Sequence, residues 1–200
     1  MLVYQLAYSF QGVVMHKIQR QLHVDHHHLQ RLLNCLTTEI DCYDFDSKRA
    51  ADLAVILSAL DYVDTYPDKW HHPSEDIIFD RLLEKDVKES KLIEQLKQEH
   101  KEIILETGKI HQLFDMVAND CIVPADELLG GARHFITLQR KHLEKENEFV
   151  YPLMDVLFDA EEWKAIESEI KIQDDPLFKK QSKKEFEHLY QYILDLENEH

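Results

Sequence analysis

The stretch LLGGARHFITLQRKHLEKENEFVYPL, residues 128–153, has the periodicity of a long amphipathic helix. At about 100° per residue, its apolar side chains fall into one stripe. That stripe consists of Leu128, Gly131, Phe135, Leu138, Phe149 and Leu153. His142 falls at the centre of the stripe, and Glu146 falls about 40° from it, one turn later. A carboxylate buried without a partner is unfavourable, so this helix must bring Glu146 to a partner in the core.

The rest of the chain is also predicted to be helical. Only four of the 200 residues are Gly and five are Pro, and residues that favour helices dominate. Long helices are predicted at about residues 15–41, from residue 48 through Pro67 and Pro73, at about 87–118 and at about 124–158. The two prolines must kink or interrupt the second helix. Short helices are predicted near residues 161–172 and from residue 175 to the C-terminus.

Helix-starting residues divide the chain into predicted elements and domains. They are Asp46 or Ser47 for the second helix, Asp86 with Glu89 for the third, Pro124 for the fourth, and Asp159 and Asp175 for the short helices. Long helices with short connections predict an all-α, up-down-up-down four-helix bundle with two short extra C-terminal helices. The bundle is predicted at residues 15–158, with an N-terminal extension at residues 1–14 and a C-terminal helical appendage at residues 159–200.

Charge and composition argue against several classes of protein. The 23 Lys and Arg against 39 Asp and Glu give a net charge of −16, whereas binding to nucleic acid or to an anionic membrane needs clustered Lys and Arg. No segment reaches the roughly 18 apolar residues of a membrane span, and the first basic residue is Lys17, which does not suit a secretory signal. The three cysteines are interpreted as reduced thiols. We therefore expect a cytoplasmic protein.

Histidine is frequent, with 13 residues, and it recurs on the apolar stripes of the long helices. In the third helix, His100 falls at the centre of a stripe that includes Ile103 and Ile104. In the first helix, three histidines are adjacent, and His26 is the nearest of them to the stripe, about 50° from its centre.

The second helix repeats the pairing of His with Glu seen in the fourth. If the helix is continuous, His71 falls at the centre of its stripe and Glu75 about 40° away. A break at Pro73 would instead change the direction of His71 relative to that of Glu75. The candidate metal ligands are therefore His26, His71, Glu75, His100, His142 and Glu146. The remaining histidines are interpreted as ordinary polar residues, with His16 and His23 at the surface. His27 and His72 are alternatives for a supporting role, in which they would contact the ligands and not the metal.

Four imidazoles and two carboxylates suit iron, manganese or zinc. Two carboxylates suit the bridging of two metals, and six protein ligands leave two octahedral ions with open positions. We expect two iron ions that bind dioxygen, peroxide or nitric oxide, for sensing, scavenging or iron handling. The alternative is an interaction module in which iron or zinc serves only structure. The sequence shows no signature of a general base or nucleophile, so it does not decide whether the protein is an enzyme. The C-terminal helices could cover the bundle or form a dimer contact.

Four motifs between Gln19 and Phe158 resemble the hemerythrin-like family, the HHE cation-binding domains. They are DHHHLQRLL (25–33), HHPSEDIIFDRL (71–82), QEHKEI (98–103) and HLEKENEFVYPL (142–153), and the tail DDPLFKK (174–180) resembles single-domain bacterial members. The resemblance supports the same six ligands. Oxygen-carrying hemerythrins have a second third-helix His where this chain has Ile104, and an Asp near the fourth-helix His where this chain has H-x-x-x-E. The resemblance therefore implies a more open, six-ligand di-iron site rather than an oxygen carrier.

Overall fold

The computed structural model describes residues 15–43, 47, 49–179 and 184–198, and these residues form helices and connecting segments without a strand. The predicted extension at residues 1–14 lies outside this range. The α-helices are α1 (Lys17–Asp41), α2 (Leu53–Thr65), α3 (His72–Leu83), α4 (Ser90–Ala118), α5 (Ala125–Lys145), α6 (Tyr151–Leu157), α7 (Ala160–Glu169) and α8 (Glu187–Asn198). Two π-helical segments, Pro67–His71 and Glu146–Val150, precede α3 and α6, and a 3-10 turn, Lys184–Phe186, precedes α8.

The helices pack around one apolar core. Helix α1 contacts α5, α4 contacts both α2 and α5, and α3 contacts α4. Beyond residue 158, α7 packs on α3, and α8 packs on α1 and α2. The prediction of an all-helical protein is confirmed, while the up-down order of four helices and the division into domains stay predictions. None of the helices in the described ranges is both long and apolar enough to cross a membrane.

Two of the predicted starts of long helices are wrong. Helix α2 begins at Leu53, not near residue 48, because Asp52 is its N-cap and accepts a hydrogen bond from the N–H of Val55 at 3.1 Å. The alternative cap Asp46 lies outside the described residues. Helix α4 begins at Ser90 rather than near residue 87, because Asp86 has a left-handed backbone (φ 51°) in the turn that precedes it.

The C-terminal segment also differs from the prediction. Asp159 caps α7 as expected and accepts from the N–H groups of Glu161 and Glu162. Asp175 does not start a helix. Its Oδ1 accepts from the N–H groups of Leu177 and Phe178, which closes a turn. The last helix therefore begins only at residue 187.

The π-helical segments change which side chains enter the core. In Glu146–Val150 one extra residue is accommodated in the turn, and the N–H of Tyr151 donates to the carbonyl of Glu146. The predicted stripe residue Phe149 is consequently 43% exposed, while Val150, Tyr151 and Met154 are buried. The placement of Phe149 in the core is therefore wrong. The placement of Ile104 of α4 on the buried stripe is also wrong, since Ile104 is 42% exposed while Ile103 is buried.

Candidate metal centre

The six predicted ligands converge at one point in the core. His26 comes from α1, His71 from the first π-helical segment, Glu75 from α3, His100 from α4, His142 from α5 and Glu146 from the second π-helical segment. The least buried of them, His26, is 4% exposed, and the other five are 1% exposed or less. Because they come from all sides of the core, their meeting depends on the packing of the helices and not on local sequence alone.

Glu75 lies among three of the imidazoles. Its Oε1 is 3.3 Å from Nε2 of His26, and its Oε2 is 3.3 Å from Nε2 of His71 and 3.5 Å from Nε2 of His100. The contact with His71 shows that the π-helical segment keeps the His and the Glu of this motif at one site.

Glu146 has the complementary position. Its Oε1 is 2.9 Å from Nε2 of His142 and 3.2 Å from Nε2 of His100, and its Oε2 is 3.4 Å from Nε2 of His26. Both carboxylates therefore contact His26 and His100, while His71 lies beside Glu75 and His142 beside Glu146. Such sharing of two carboxylates suits two adjacent cations better than one.

All four imidazoles are held from behind through Nδ1. The outer partners are Asn147 for His26 (3.0 Å), Asp25 for His71 (3.3 Å), Asp76 for His100 (2.9 Å) and Glu99 for His142 (3.2 Å). Each partner is the sequence neighbour of a ligand on another element, so the contacts form a closed ring around the centre. We call these four residues the outer ring. A hydrogen bond at Nδ1 fixes the tautomer and leaves Nε2 for a metal.

Without a cation, protonated histidines at the centre offset the negative charge of the two buried carboxylates. Burial disfavours a charged imidazole, but the hydrogen bonds with Glu146 and Glu75 outweigh it and raise the pKa of His26 to about 10. The pKa of His100 is likewise raised, against burial, by Asp76 and Glu146. Burial would raise the pKa of Glu146, yet His142 and His100 hold it well below its usual value. Charged histidines thus balance the carboxylates where a cation would otherwise do so.

The donor set fits a cation. Four atoms that face the centre lie close to an opposite charge but make no well-aligned hydrogen bond among the described residues: His71 Nε2, His142 Nε2, Glu75 Oε2 and Glu146 Oε2. A buried polar atom without a hydrogen bond costs about 1–3 kcal/mol, so four such atoms at one point are unfavourable in a purely structural core. Among the six predicted ligands, two groups could each hold an ion, and Glu75 belongs to both: His26, His71 and Glu75, and Glu75, His100, His142 and Glu146.

Two further side chains reach the centre, His72 and Tyr151, and neither is among the ligands predicted from the sequence. His72 is buried, and its ring lies 4.7 Å from that of His100 and 5.8 Å from that of His142. Burial lowers the pKa of His72 to about 4, so it is neutral at pH 7. Tyr151 donates to Glu75, and burial together with the charge of Glu75 raises its pKa well above the usual value. Neither residue falls on an apolar stripe of a regular α-helix, so helical periodicity could not predict that His72 and Tyr151 reach the centre.

Other histidines have structural roles. His28 donates to Asp175 at 2.7 Å and so ties α1 to the turn that follows α7. His16 and His23, interpreted as surface residues, are half-buried: His16 stacks on Trp163, and His23 packs edge-on against Tyr151. His27 is exposed, as expected for a residue that points away from the core.

Comparison with known families agrees with this centre. Residues 17–154 match the Hemerythrin HHE cation binding domain, a range that includes all six predicted ligands. Neither curated proteins nor solved structures give a match to the chain. The family expected from the four sequence motifs is confirmed. The chain belongs to the hemerythrin HHE cation-binding domain family.

Proposed function

We propose that the protein is a non-haem di-iron protein whose centre binds a small ligand, namely dioxygen, peroxide or nitric oxide, in sensing, scavenging or iron handling. The observation that carries the proposal is the sharing of two buried carboxylates. Glu75 and Glu146 each contact imidazoles on both sides of the centre, which suits the bridging of two ions. Iron would supply redox chemistry and open positions for the small ligand.

The protein's own residues would bind and orient the ions and keep bulk water out. The outer ring fixes the imidazoles with Nε2 inward, and the apolar core excludes solvent. The proposed location is the cytoplasm, because the three cysteines, Cys35, Cys42 and Cys121, form no disulfide.

The alternative is a metal-stabilised interaction module. Zinc prefers a closed site with four ligands, as in Glu75, His100, His142 and Glu146. That arrangement would leave His26 and His71 buried without an ion, so we rank it second.

The test is the absorption spectrum of the iron-loaded chain, with the zinc-loaded chain as control. Reduced iron-loaded protein should change its near-ultraviolet and visible absorption when dioxygen, peroxide or nitric oxide is added, and the zinc form should not. Uptake of zinc but not iron, or an iron form that responds to none of the three, would favour the interaction module.

A further inference from the structure

The hydroxyl group of Tyr151 lies inside the proposed centre. The residue is 1% exposed, its Oη donates to Glu75 Oε1 at 2.6 Å, and the same oxygen lies 2.7 Å from His26 Nε2. The phenol ring stacks on the imidazole of His26, with centroids 4.7 Å apart and planes inclined by 20°. One oxygen therefore touches predicted ligand atoms from α1 and α3.

The second π-helical segment is what places Tyr151 there. Tyr151 follows Glu146 by five residues, which in a regular α-helix would put the two side chains about 140° apart. The extra residue in Glu146–Val150 brings Tyr151 back to the face of Glu146. Pro152 favours this wide turn, since it has no N–H to donate in a regular α-helix.

The first π-helical segment has the same design. It is followed by His72 and then Pro73, and the N–H of His72 donates to the carbonyl of Pro67. His72 is buried at the centre beside His100. In both segments, the residue that comes just before the proline is turned towards the centre, so the position of Tyr151 follows a repeated local geometry.

Three atoms around Tyr151 form a triangle of donors. Its sides are 2.6 Å from Tyr151 Oη to Glu75 Oε1, 2.7 Å from Oη to His26 Nε2, and 3.3 Å from His26 Nε2 to Glu75 Oε1. Adjacent donors on an octahedral cation, each bound at about 2.1 Å, are roughly 3 Å apart. The triangle thus has about the size of one face of an octahedral site.

We propose that Tyr151 is a seventh protein ligand of the centre, whose phenolate oxygen binds the cation held by His26 and Glu75. The inference rests on the proposed di-iron function and adds a donor to that same site. When the cation binds, the O–H bond of Tyr151 breaks, Oη joins the cation and the proton passes to water, as happens with other protein donors. Phenolate is a suitable ligand for ferric iron.

The test compares the iron-loaded, air-oxidised full chain with Tyr151→Phe. Tyr62→Phe is the matched control, because Tyr62 is equally buried and donates to a carboxylate, Asp175, away from the centre. We expect a visible phenolate-to-iron charge-transfer band in the wild type and in Tyr62→Phe, and its loss in Tyr151→Phe at unchanged helical content. Resonance Raman spectra of the wild type, excited in that band, should show enhanced phenolate ring modes. Because this measurement uses only the wild type, its result does not depend on whether a variant folds.

The outcomes separate this inference from the proposed function. Wild-type protein that binds two irons but shows neither the band nor the ring modes would overturn the role of Tyr151 and leave the di-iron proposal standing. Failure of the wild type to take up iron would overturn the di-iron proposal, and the inference with it.

Discussion

Single residues beside the ligands decide how the imidazoles are presented. The outer ring residues Asp25, Asp76, Glu99 and Asn147 stand next to His26, Glu75, His100 and Glu146 in the sequence, and each supports an imidazole on another element. Such outer partners keep the tautomer and the orientation of a ligating histidine, and their loss weakens metal binding.

Removal of one outer partner tests this role. In Asp76→Ala, the 2.9 Å contact with Nδ1 of His100 is lost, so the ring is free to turn away from Glu146. We expect iron affinity, measured by competition with a chelator, to fall roughly 10- to 100-fold. Asp80→Ala is the control, since Asp80 is exposed on the same helix and pairs with Lys97, away from the centre. Equal affinities of the two variants would show that the outer ring does not support the ligands.

Helical phasing could identify the six residues that meet in the core, but not the residues around them. The six lie on or near the apolar stripes, and the structure brings them together. An outer ring residue lies one position from a ligand, and therefore about 100° around the helix, where phasing predicts a surface residue. Only the packing of a neighbouring helix shows that this direction leads to another imidazole.

At the scale of elements, the π-helical segments set the phase of the core. Regular α-helical phasing through Glu146–Val150 predicts Phe149 in the core, whereas the structure buries Met154 and exposes 43% of Phe149. A sequence read at a constant 100° per residue cannot detect an extra residue in one turn. Of the two prolines that follow the π-helical segments, the sequence predicts only a kink or a break at Pro73, and it gives no prediction for Pro152.

Alanine substitutions distinguish the two phases. Met154→Ala should lower the free energy of unfolding by about 2–5 kcal/mol, because it leaves a cavity in the core. Phe149→Ala should change it by much less, since much of that side chain is exposed. Urea unfolding of the metal-free protein provides both values. If Phe149→Ala lowered the free energy of unfolding more than Met154→Ala, the result would contradict the π-helical phase and favour a regular α-helix.

At the scale of the whole molecule, the C-terminal part is fastened to the bundle by a buried carboxylate. Glu39 of α1 is fully buried, pairs with Arg49 at 2.5 Å, and accepts hydrogen bonds from the N–H of Asp52 and the hydroxyl of Tyr192 in α8. Burial would raise the pKa of Glu39, but Arg49 and Tyr192 outweigh it and lower the pKa below 4.5. One residue thus connects α1, the start of α2 and α8.

The pH dependence of stability follows from this shift. Because the pKa of Glu39 is lower in the folded protein, its carboxylate stabilises the fold above about pH 4.5, and this contribution is lost as pH falls through the folded-state pKa. Glu39→Gln should therefore be less stable than wild type by about 1–3 kcal/mol at pH 7, with the gap closing in acid. Urea unfolding at several pH values measures the gap, with exposed Glu102→Gln as control. A gap that stays constant with pH would contradict this role of Glu39.

The most direct test of a centre that holds two ions is the iron content of the full chain after anaerobic loading and removal of excess metal. The shared carboxylates predict two irons per chain in the wild type, at most one in Glu146→Gln, and two in Glu148→Gln, whose side chain is exposed in the same π-helical segment. A wild-type content of one iron that Glu146→Gln leaves unchanged would contradict a centre in which Glu146 joins two ions.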